Sequence, residues 1–469
     1  MDKAEIKKHL SDFGLKNGDV VIVHSSLSST GYVKGGADAL VDAFLETIGN
    51  EGTLVAPVFG NLGVFTDTLK NRSEAVVSDC PLGTVAAIGA NAEFICRDHR
   101  KADTAYGHNT PYIKIAELGG YVCLLGVDQD RNTTLHSVEA LLELPYLGTQ
   151  KIKLENGNEK SFKCYPGPHR DFIGIDHVMC QNGKMKIGKI GKAVVRLMKS
   201  QDLIDTFTEL GKRYPDFCLC DNRNCADCVK QRAAIRKNRL AEEDFKLSIA
   251  SSVAGKYIPE MIDNLKTAGA EYVELDIIQG KPTHKLSADK LKKAVDEFAE
   301  NDIKISALRL SAVPKDIKEI LELLKATGIN DLIIPLSADV GEFIDQSTKA
   351  KINISFVNLG VSGPYAANIM SGLNARFVFS PSEFAKAGEM PFLQSFRQGK
   401  FGKYISQLDI EDALFDGTPS LLASGNAEIR ELISILRCAS FSGFMTISGR
   451  NRNLGSAKDL TEKVIKLLK

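Results

Sequence analysis

The stretch VVIVHSSLSSTGYVKGGADALVDAFLETIGNEGTLVAPVF, residues 20–59, determines the fold predicted for the first half of the chain. It contains a β-branched run, a loop rich in serine and glycine, an apolar segment with helical spacing and a second β-rich run. A third buried run, YVCLLGV, follows at 121–127, and helical patterns lie at 37–48, 83–90 and 133–144. An antiparallel hairpin is expected at 151–165, around Asn156-Gly157. Strands that alternate with helices in this way predict an α/β layered domain.

The loop between the first strand and the first helix of this stretch is a candidate anion site. Its hydroxyls come from Ser25, Ser26, Ser28 and Ser29, and the amides of Gly35 and Gly36 lead into the helix predicted at Ala37. Amides at the positive end of a helix suit a phosphate or pyrophosphate group. Two glycines before a helix also occur for packing or turn geometry alone, so both interpretations stay open.

The second half of the chain has a different rhythm. Eight short buried runs are centred near residues 249, 274, 306, 334, 355, 378, 406 and 446, with room for a helix in each gap. Eight such units predict a (β/α)8 barrel, a TIM-like fold, with an open doubly wound sheet as the alternative. The predicted domains are therefore 1–215, a charged connector at 216–245 and the barrel at 246–469.

Four of the ten cysteines lie close together in the connector. The spacing is Cys218-x-Cys220-x4-Cys225-x2-Cys228, on a short loop that contains turn-forming residues. Four thiolates satisfy tetrahedral zinc, and this is the favoured prediction, with a structural Zn²⁺. An iron–sulfur cluster and a group of cysteines without metal are the alternatives. The basic helix that follows is expected to be a solvated connector rather than a nucleic-acid contact.

Composition excludes several classes of protein. The 469 residues carry 59 basic and 59 acidic side chains, which argues against a nucleic-acid binder or a protein that binds anionic membranes. The N-terminus MDKAEIKKHLSDFGLKNGD does not resemble a signal peptide, and no apolar run is long enough to span a membrane. We expect a cytoplasmic protein, with homo-oligomerisation left open.

A histidine in the segment DRNTTLHSVEALLELPY, residues 130–146, is a candidate general base. His136 is predicted in the first turn of a helix, with Glu139 one turn later. The positive end of a helix disfavours imidazolium, so a neutral imidazole is expected there, as a general base requires. A purely structural role, in which the histidine bonds a loop and the glutamate supports the start of the helix, is the alternative.

Several blocks in the first half together resemble one family. HSSLSS-GYVKGGA, GTLVAP-F, YGHNTPY-KIAELGG, LLGV–NTTLHSVE and HRDF–G–KIGKA-VRLM are similar to the aminoglycoside 3-N-acetyltransferase, or antibiotic acetyltransferase, family over residues 1–210. The resemblance implies acetyl-CoA-dependent transfer to an amine, with His136 as the base. It places the cofactor along the loop and glycine pair described above: His24, Ser25, Ser26, Leu27, Ser28, Ser29, Gly35 and Gly36.

The chemistry of amide formation then suggests supporting residues. A carboxylate that orients the imidazole is expected to be Glu139 or Asp171, and His169 is a further candidate in the catalytic group. Lysines are frequent in this half, whereas a cleft for polycationic aminoglycosides would be acidic. The acceptor is therefore expected to be a small-molecule amine, either aminoglycoside-like or an amino sugar.

The barrel resembles the xylose-isomerase-like sugar phosphate isomerases and epimerases, mainly through AGAEYVELD at 268–276. That family holds a divalent metal with Glu, Asp, His and Glu at strand ends. Here those positions read Asn358, Ser380, Gln407 or Asp409, and Ser448, which leaves Glu274 and Asp276 as carboxylates. The glycines of Ser424–Asn426 and Ser448–Arg450 remain candidates for a phosphate site. A binding or scaffold barrel without metal is the prediction. An isomerase-type barrel enzyme and a non-catalytic, zinc-linked scaffold are the alternatives to acetyl transfer for the whole chain.

Overall fold

The protein is described by a computed structural model that covers residues 1–153, 157, 159–164, 171–172, 175–222, 224–337, 340–371, 373 and 375–469. The chain forms two compact units, Met1–Arg232 and Ala233–Lys469. The division lies inside the predicted connector, so the residues of that segment belong to both units. Within the described ranges, every helix is too short or too polar to cross a bilayer.

The first unit is built on a seven-stranded mixed sheet with the order β3-β4-β2-β1-β5-β9-β8. The three central strands β2, β1 and β5 are parallel, and the outer strands are antiparallel to their neighbours. β6 and β7 form a separate antiparallel pair, which confirms the predicted hairpin, although Asn156 lies outside the described residues. The strands are β1 (Val20–Ser25), β2 (Thr53–Pro57), β3 (Val76–Val77), β4 (Val85–Gly89), β5 (Tyr121–Leu125), β6 (Gly148–Lys153), β7 (Glu159–Cys164), β8 (Met185–Ile190) and β9 (Ala193–Lys199).

Helices cover both faces of this sheet, as expected for a layered α/β fold. The helices are α1 (Lys3–Phe13), α2 (Gly36–Ile48), α3 (Val64–Lys70), α4 (Ala92–Cys96), α5 (Pro111–Glu117), α6 (Leu135–Leu141), α7 (Asp176–Gln181) and α8 (Ser200–Arg213), and α9 (Ala226–Ala241) then spans the division between the two units. β1 is buried on both sides, with Val21 and Val23 packed against the apolar faces of α1 and α2. A central parallel strand has this continuous apolar character because both of its faces are covered.

One predicted element is wrong. The segment 83–90, expected to be helical, forms the strand β4, which pairs antiparallel with β2. Its residues Val85, Ala86 and Ala87 are fully buried, and a short apolar run with two alanines satisfies helix and strand patterns equally well. Pairing with a neighbouring strand decides between them, and that pairing is not visible in local spacing. The strands β8 and β9 were not predicted either.

The second unit is a closed barrel of eight parallel strands, which confirms the TIM-like prediction. Neighbours in sequence are neighbours in the barrel, and β19 closes it against β10. The barrel strands are β10 (Lys246–Ala250), β11 (Tyr272–Leu275), β14 (Lys304–Arg309), β15 (Asp331–Pro335), β16 (Asn353–Val357), β17 (Arg376–Phe379), β18 (Ile405–Ile410) and β19 (Phe444–Ile447). All eight predicted centres fall within these strands. A small hairpin, β12 (Ile277–Ile278) with β13 (Lys281–Pro282), follows β11.

Helices surround the barrel strands and bury a continuous apolar core against them. They are α10 (Ser251–Ala254), α11 (Ile258–Ala268), α12 (Ala288–Glu300), α13 (Ile317–Thr327), α14 (Val340–Ala350), α15 (Gly363–Met370), α16 (Pro381–Lys386), α17 (Ile429–Cys438) and α18 (Ala457–Leu467). α13 shows why they form: Asp316 caps its amino end through the amide of Lys318, and Gly328 ends it in the left-handed conformation. Because the eight strands are parallel, their carboxyl ends all lie at the same end of the barrel.

Candidate active site

The candidate site of the first unit lies where two central strands end. β1 and β5 run parallel, and Ser25 at the end of β1 is in register with Leu125 at the end of β5. The serine loop, His24–Ser29, leaves β1 at this edge, and the chain after β5 leads into α6. The parallel strands therefore bring the loop and the helix to one edge of the sheet, although about 100 residues separate them in sequence.

His136 and Glu139 form a hydrogen-bonded pair on α6, called the His136–Glu139 dyad below. Nδ1 of His136 lies 2.7 Å from Oε2 of Glu139. An ionised carboxylate only accepts hydrogen bonds, so this contact favours the tautomer with the proton on Nδ1 and the lone pair on Nε2. One helical turn separates the two residues, which is the spacing that places side chains on the same face.

The second oxygen of Glu139 is held as firmly as the first. Oε1 accepts hydrogen bonds from the hydroxyl of Tyr146 at 2.9 Å and from Sγ of Cys218 at 3.2 Å. Glu139 is fully buried, so both of its oxygens need these donors. Burial and the adjacent carboxylate raise the pKa of Tyr146 above its usual range, and the phenol therefore stays a donor.

The imidazole of His136 lies between aromatic rings but keeps an open side. The ring centroid of Tyr106 is 5.2 Å away, and the edge of Phe172 is presented at a centroid distance of 5.4 Å. The side chain of His136 remains 24% exposed. A base that is oriented by a buried carboxylate and partly open to a substrate has the access that proton transfer requires.

The serine loop is a compact, hydrogen-bonded turn. After β1 the chain forms a 3-10 helix, Leu27–Thr30, and Oγ of Ser29 donates to Oγ of Ser26 at 2.8 Å and to the carbonyl of Gly126 at 3.0 Å. A Cβ on Gly126 would lie 2.5 Å from Cβ of Ser29. Glycine at that position lets the chain after β5 approach the serine loop closely.

Two features of this loop region suit a ligand. His24 is buried, and its Nε2 has no hydrogen-bond partner among the described residues; burial lowers the pKa of this imidazole to about 3. Gly35 and Gly36 adopt φ values of 88° and 61° at the start of α2, and open space surrounds the position where a Cβ on Gly36 would lie. The amide of Gly36 donates to the carbonyl of Val33 at 3.0 Å, whereas Gly35 is exposed at the start of the helix.

Asp171 and His169, predicted as supporting residues, have different outcomes. The carboxylate bonded to Nδ1 of His136 is that of Glu139, whereas Asp171 is tied to the neighbouring loop by its backbone amide, which donates to the carbonyl of Cys218 at 2.9 Å. His169 lies outside the described residues. Their catalytic roles stay predictions.

The cysteine cluster differs from the predicted four-thiolate set. The sulfurs of Cys220, Cys225 and Cys228 lie within 4.8 Å of one another, with Cys220 and Cys228 3.5 Å apart. Cys218 is not part of this group; its thiol is engaged by Glu139 and Tyr146 instead. Cys218 lies in a turn in which the amide of Leu219 donates to the carbonyl of Asp216, and there its thiol contacts Glu139 and Tyr146. The structure thus brings three of the four predicted cysteines together, and the metal-ligand set stays a prediction.

Sequence reasoning missed the partners that complete the dyad. Tyr146 ends the quoted segment 130–146 but was not assigned a role, and Cys218 was assigned to the metal. A buried carboxylate needs donors for both oxygens, and this requirement was the available signal for Tyr146. The contact with Cys218, 79 residues from Glu139, depends on tertiary structure and leaves no local pattern.

Comparison with known proteins gives a consistent result for this unit. The family model described as aminoglycoside 3-N-acetyltransferase matches residues 22–62 and 59–211. Aminoglycoside N(3)-acetyltransferase IV of Salmonella sp is 30% identical over 223 residues, covering 44% of this chain and 85% of the relative. The aminoglycoside N(3')-acetyltransferase-like protein YokD of Bacillus subtilis is 27% identical over 249 residues, 43% of this chain and 89% of that protein.

Among solved structures, the apoenzyme of aminoglycoside acetyltransferase AAC(3)-IVa is 28% identical and covers 50% of this chain and 98% of its own, with a TM-score of 0.47. The sequence matches reach most of the length of these relatives and lie in the first half of the chain. The blocks singled out in the sequence, the serine loop and the segment with His136 and Glu139, fall inside the matched residues. The chain therefore belongs, through its first unit, to the aminoglycoside 3-N-acetyltransferase family of acyltransferases.

Proposed function

We propose that the first unit transfers an acetyl group from acetyl-CoA to the amine of an aminoglycoside-like or amino-sugar acceptor, with His136 as general base. The observation that carries this proposal is the 2.7 Å contact between Nδ1 of His136 and Glu139, which directs the basic Nε2 away from the carboxylate. Family membership supports the reaction class, because the relatives are acetyltransferases that act on the N(3) amine of aminoglycosides.

The dyad supplies proton transfer for amide formation. An ammonium group is not nucleophilic, so the acceptor must lose a proton as its nitrogen attacks the thioester carbonyl. Nε2 of His136 accepts that proton, the carbon–nitrogen bond forms as the carbon–sulfur bond breaks, and the leaving thiolate takes the proton from the imidazolium to depart as the thiol. The carboxylate of Glu139 stabilises the imidazolium that forms and keeps the ring in the reactive tautomer.

Tyr146 and Cys218 act on the base through Glu139. Their hydrogen bonds satisfy Oε1 of Glu139 inside the protein and fix the carboxylate, so Oε2 stays directed at His136. Hydrogen bonds to a charged group contribute about 1.5–3 kcal/mol each, enough to fix one carboxylate rotamer. We assign both side chains as positioning residues.

Acetyl-CoA fits the edge formed by the serine loop and the start of α2. Nε2 of buried His24 has no hydrogen-bond partner among the described residues, Gly35 is exposed, and open space surrounds the Cβ position of Gly36. These residues would hold the cosubstrate, which supplies an activated acyl group as a thioester. Ser26 and Ser29 lie in the same loop and offer hydroxyl oxygens.

Cys220, Cys225 and Cys228 are the residues that would hold a structural zinc ion. Their sulfurs converge, and zinc prefers thiolate ligands in tetrahedral sites. The amide of Cys228 lowers the pKa of Cys225, whereas burial raises the pKa of Cys228 to about 12. In this role the metal would stabilise a short loop, Cys218–Cys228, that also supplies Cys218 to Glu139.

Metal analysis tests the three-cysteine site. We expect the purified full-length chain to contain one zinc per protein, lost in Cys225→Ser/Cys228→Ser and retained in Cys218→Ala. A double substitution of the exposed cysteines, Cys180→Ser/Cys438→Ser, is the control for general loss of thiols. Equal zinc content in the wild type and in the Cys225→Ser/Cys228→Ser variant would exclude the site.

An acceptor screen tests acetyl transfer. The full-length chain is incubated with acetyl-CoA and a panel of aminoglycosides and amino monosaccharides, and released thiol is measured. We expect thiol release that depends on the amine, and an acetylated product of matching mass. Thiol release at the background rate with every amine, together with no thermal stabilisation by saturating acetyl-CoA, would contradict the proposal.

A further inference from the structure

A cavity of about 230 Å³ lies in the second unit, at the end of the barrel where the parallel strands terminate. Asp276 directly follows β11, Glu411 directly follows β18, and Ser448 directly follows β19, and all three line the cavity. We call this cavity the barrel mouth. TIM-barrel enzymes place their active sites at this end, since loops and strand ends from the whole circle converge there.

Acidic side chains outnumber basic side chains in the lining of the barrel mouth. The lining contains four carboxylates and two guanidinium groups, namely Asp276, Glu383, Asp409 and Glu411 with Arg309 and Arg450. Burial of an ionised group is costly unless an opposite charge compensates it. An excess of carboxylates in a concave, partly apolar site is therefore complementary to a positively charged ligand.

Both arginines are already neutralised by carboxylates. Arg309 donates to the two oxygens of Asp409 at 2.7 and 2.9 Å, and its Nε lies 2.6 Å from Glu274, which is buried below the cavity. Arg450 contacts Glu383 through its Nη2. Neither guanidinium is therefore left over to bind an anionic ligand.

The lining carboxylates Glu411 and Asp276 are held mainly by hydroxyl and amide groups rather than by close contacts with arginine. Glu411 is 2% exposed and accepts hydrogen bonds from the hydroxyls of Ser380 and Ser448, while Nε of Arg450 lies 3.7 Å from its Oε2. Asp276 accepts from hydroxyl and amide groups of the segment after β10, and among the described residues it has no ion pair. Burial, together with the charge of Asp409, raises the pKa of Glu411 to about 7, and these effects outweigh the opposing effects of the serine hydroxyls and Arg309.

The arrangement does not suit a divalent metal ion or a phosphate. Within the described ranges, no three carboxylate or imidazole groups of the barrel mouth bring ligand atoms within 4.8 Å of one another. The amides of Ser424 and Gly425, predicted as a phosphate site, instead donate to Asp412. A Cβ on Gly449 would lie 2.5 Å from Oδ2 of Asp276, so the second predicted phosphate loop faces a carboxylate.

We propose that the barrel mouth is a second ligand site, which binds a small protonated amine carrying hydroxyl groups. Glu411 and Asp276 face the ammonium group, and the serine oxygens accept from ligand hydroxyls. Ile277, Leu310 and Val357 provide an apolar wall for ring carbons. The cavity is smaller than the 300–1,000 Å³ of drug-sized pockets, so it suits a ligand with about one ring.

Calorimetric titration of the full-length chain with glucosamine and with glucose tests this site, because the two probes share a ring and differ in the amine. We expect saturable binding of glucosamine in the millimolar range and at least about tenfold weaker binding of glucose. Glu411→Gln is expected to weaken glucosamine binding about tenfold or more while leaving the response to glucose unchanged.

A rim variant keeps the test valid if Glu411→Gln fails to fold. Leu359 lines the barrel mouth and is 38% exposed, so Leu359→Trp narrows the cavity without touching the buried charges. Leu421 is also an exposed leucine but does not line the cavity, so Leu421→Trp is the matched control. We expect glucosamine binding to be lost in Leu359→Trp and kept in Leu421→Trp.

The first unit is also proposed to accept amines, so the titrations are repeated in His136→Ala and Glu139→Gln. Glucosamine binding that persists in these variants and disappears in Leu359→Trp places the ligand in the barrel. Equal affinity for glucose and glucosamine, no saturable binding of either, or loss only in the variants of the dyad would overturn the proposal. None of these outcomes depends on whether acetyl transfer occurs.

Discussion

The dyad and the barrel mouth use buried carboxylates in opposite ways. Glu139 has hydrogen-bond donors on both oxygens and serves one neighbour, His136. At the barrel mouth, the donors to Glu411 among the described residues are two hydroxyl groups, and Nε of Arg450 is 3.7 Å away. A carboxylate whose two oxygens are both hydrogen-bonded to neighbours orients another residue, whereas one whose ion pair is as long as 3.7 Å can still receive a charged ligand.

The strongest test of the first half of this comparison removes the base. His136→Ala is expected to lower kcat for acetyl transfer about a thousandfold, because proton removal from the amine loses its acceptor. Thermal stabilisation by acetyl-CoA should be unchanged. His108→Ala, at an exposed position of the same unit, serves as the control. Wild-type turnover in His136→Ala would remove this residue from the mechanism.

Removing the charge that orients the base should have a smaller effect. Glu139→Gln keeps the shape of the side chain but cannot stabilise the imidazolium, so kcat is expected to fall about a hundredfold. Glu143→Gln changes a glutamate with a 79% exposed side chain close by in sequence and should leave kcat unchanged. Steady-state kinetics that show equal losses in both variants would contradict the role of the dyad.

The donors to Glu139 separate orientation from simple packing. Tyr146→Phe and Cys218→Ala each remove one hydrogen bond to Oε1, and kcat should fall about tenfold in each, in line with the loss of a bond to a charged group. KM for acetyl-CoA should stay constant, and Cys218→Ser, which restores a donor, should recover most of the rate. Tyr214→Phe, at an exposed tyrosine, is the control. A loss of kcat that Cys218→Ser does not relieve would assign Cys218 to packing.

The barrel mouth should show itself in the pH dependence of stability, the smallest expected effect. The pKa of Glu411 rises from 4.5 to about 7 on folding, through burial and the charge of Asp409, so the folded chain binds more protons than the unfolded chain in this range. Its contribution to the free energy of unfolding is therefore complete below pH 4.5 and decreases as the pH rises towards 7.

Urea denaturation of the full-length chain at the two ends of this pH range measures the effect. Glu411→Gln, which cannot ionise, should flatten the decrease, while Glu431→Gln at an exposed position on α17 should follow the wild type. A wild-type unfolding free energy that rises over this interval, with Glu411→Gln behaving identically, would contradict an uncompensated buried carboxylate at position 411.

The two regions also differ in how far the sequence could predict them. All eight barrel strands were located from buried β-rich runs at regular spacing, because each strand is covered on both faces and bounded by turns. The dyad was recognised because its members are one helical turn apart. In both cases the pattern that allowed the prediction is formed by residues close together in sequence.

What the sequence did not reveal depends on tertiary contacts. The sequence left Glu274 and Asp276 as strand carboxylates and named Asp409 at one strand end, and the structure adds Glu383 and Glu411 from separate segments. Their convergence follows from closure of the barrel. Likewise, β4 was predicted as a helix because its local pattern fits either structure. The pairing that makes it a strand is with β2, about thirty residues away in sequence.

Chemical rescue tests the central claim, that the imidazole of His136 removes the proton from the acceptor amine. Acetyl transfer by the full-length His136→Ala variant is measured as released thiol, with and without added imidazole. The account predicts a rate that increases with imidazole concentration towards saturation, and no such increase in Glu139→Gln, where the native ring is still present. A rate in His136→Ala that equals the wild type without imidazole, or that imidazole leaves at the background level, would contradict it.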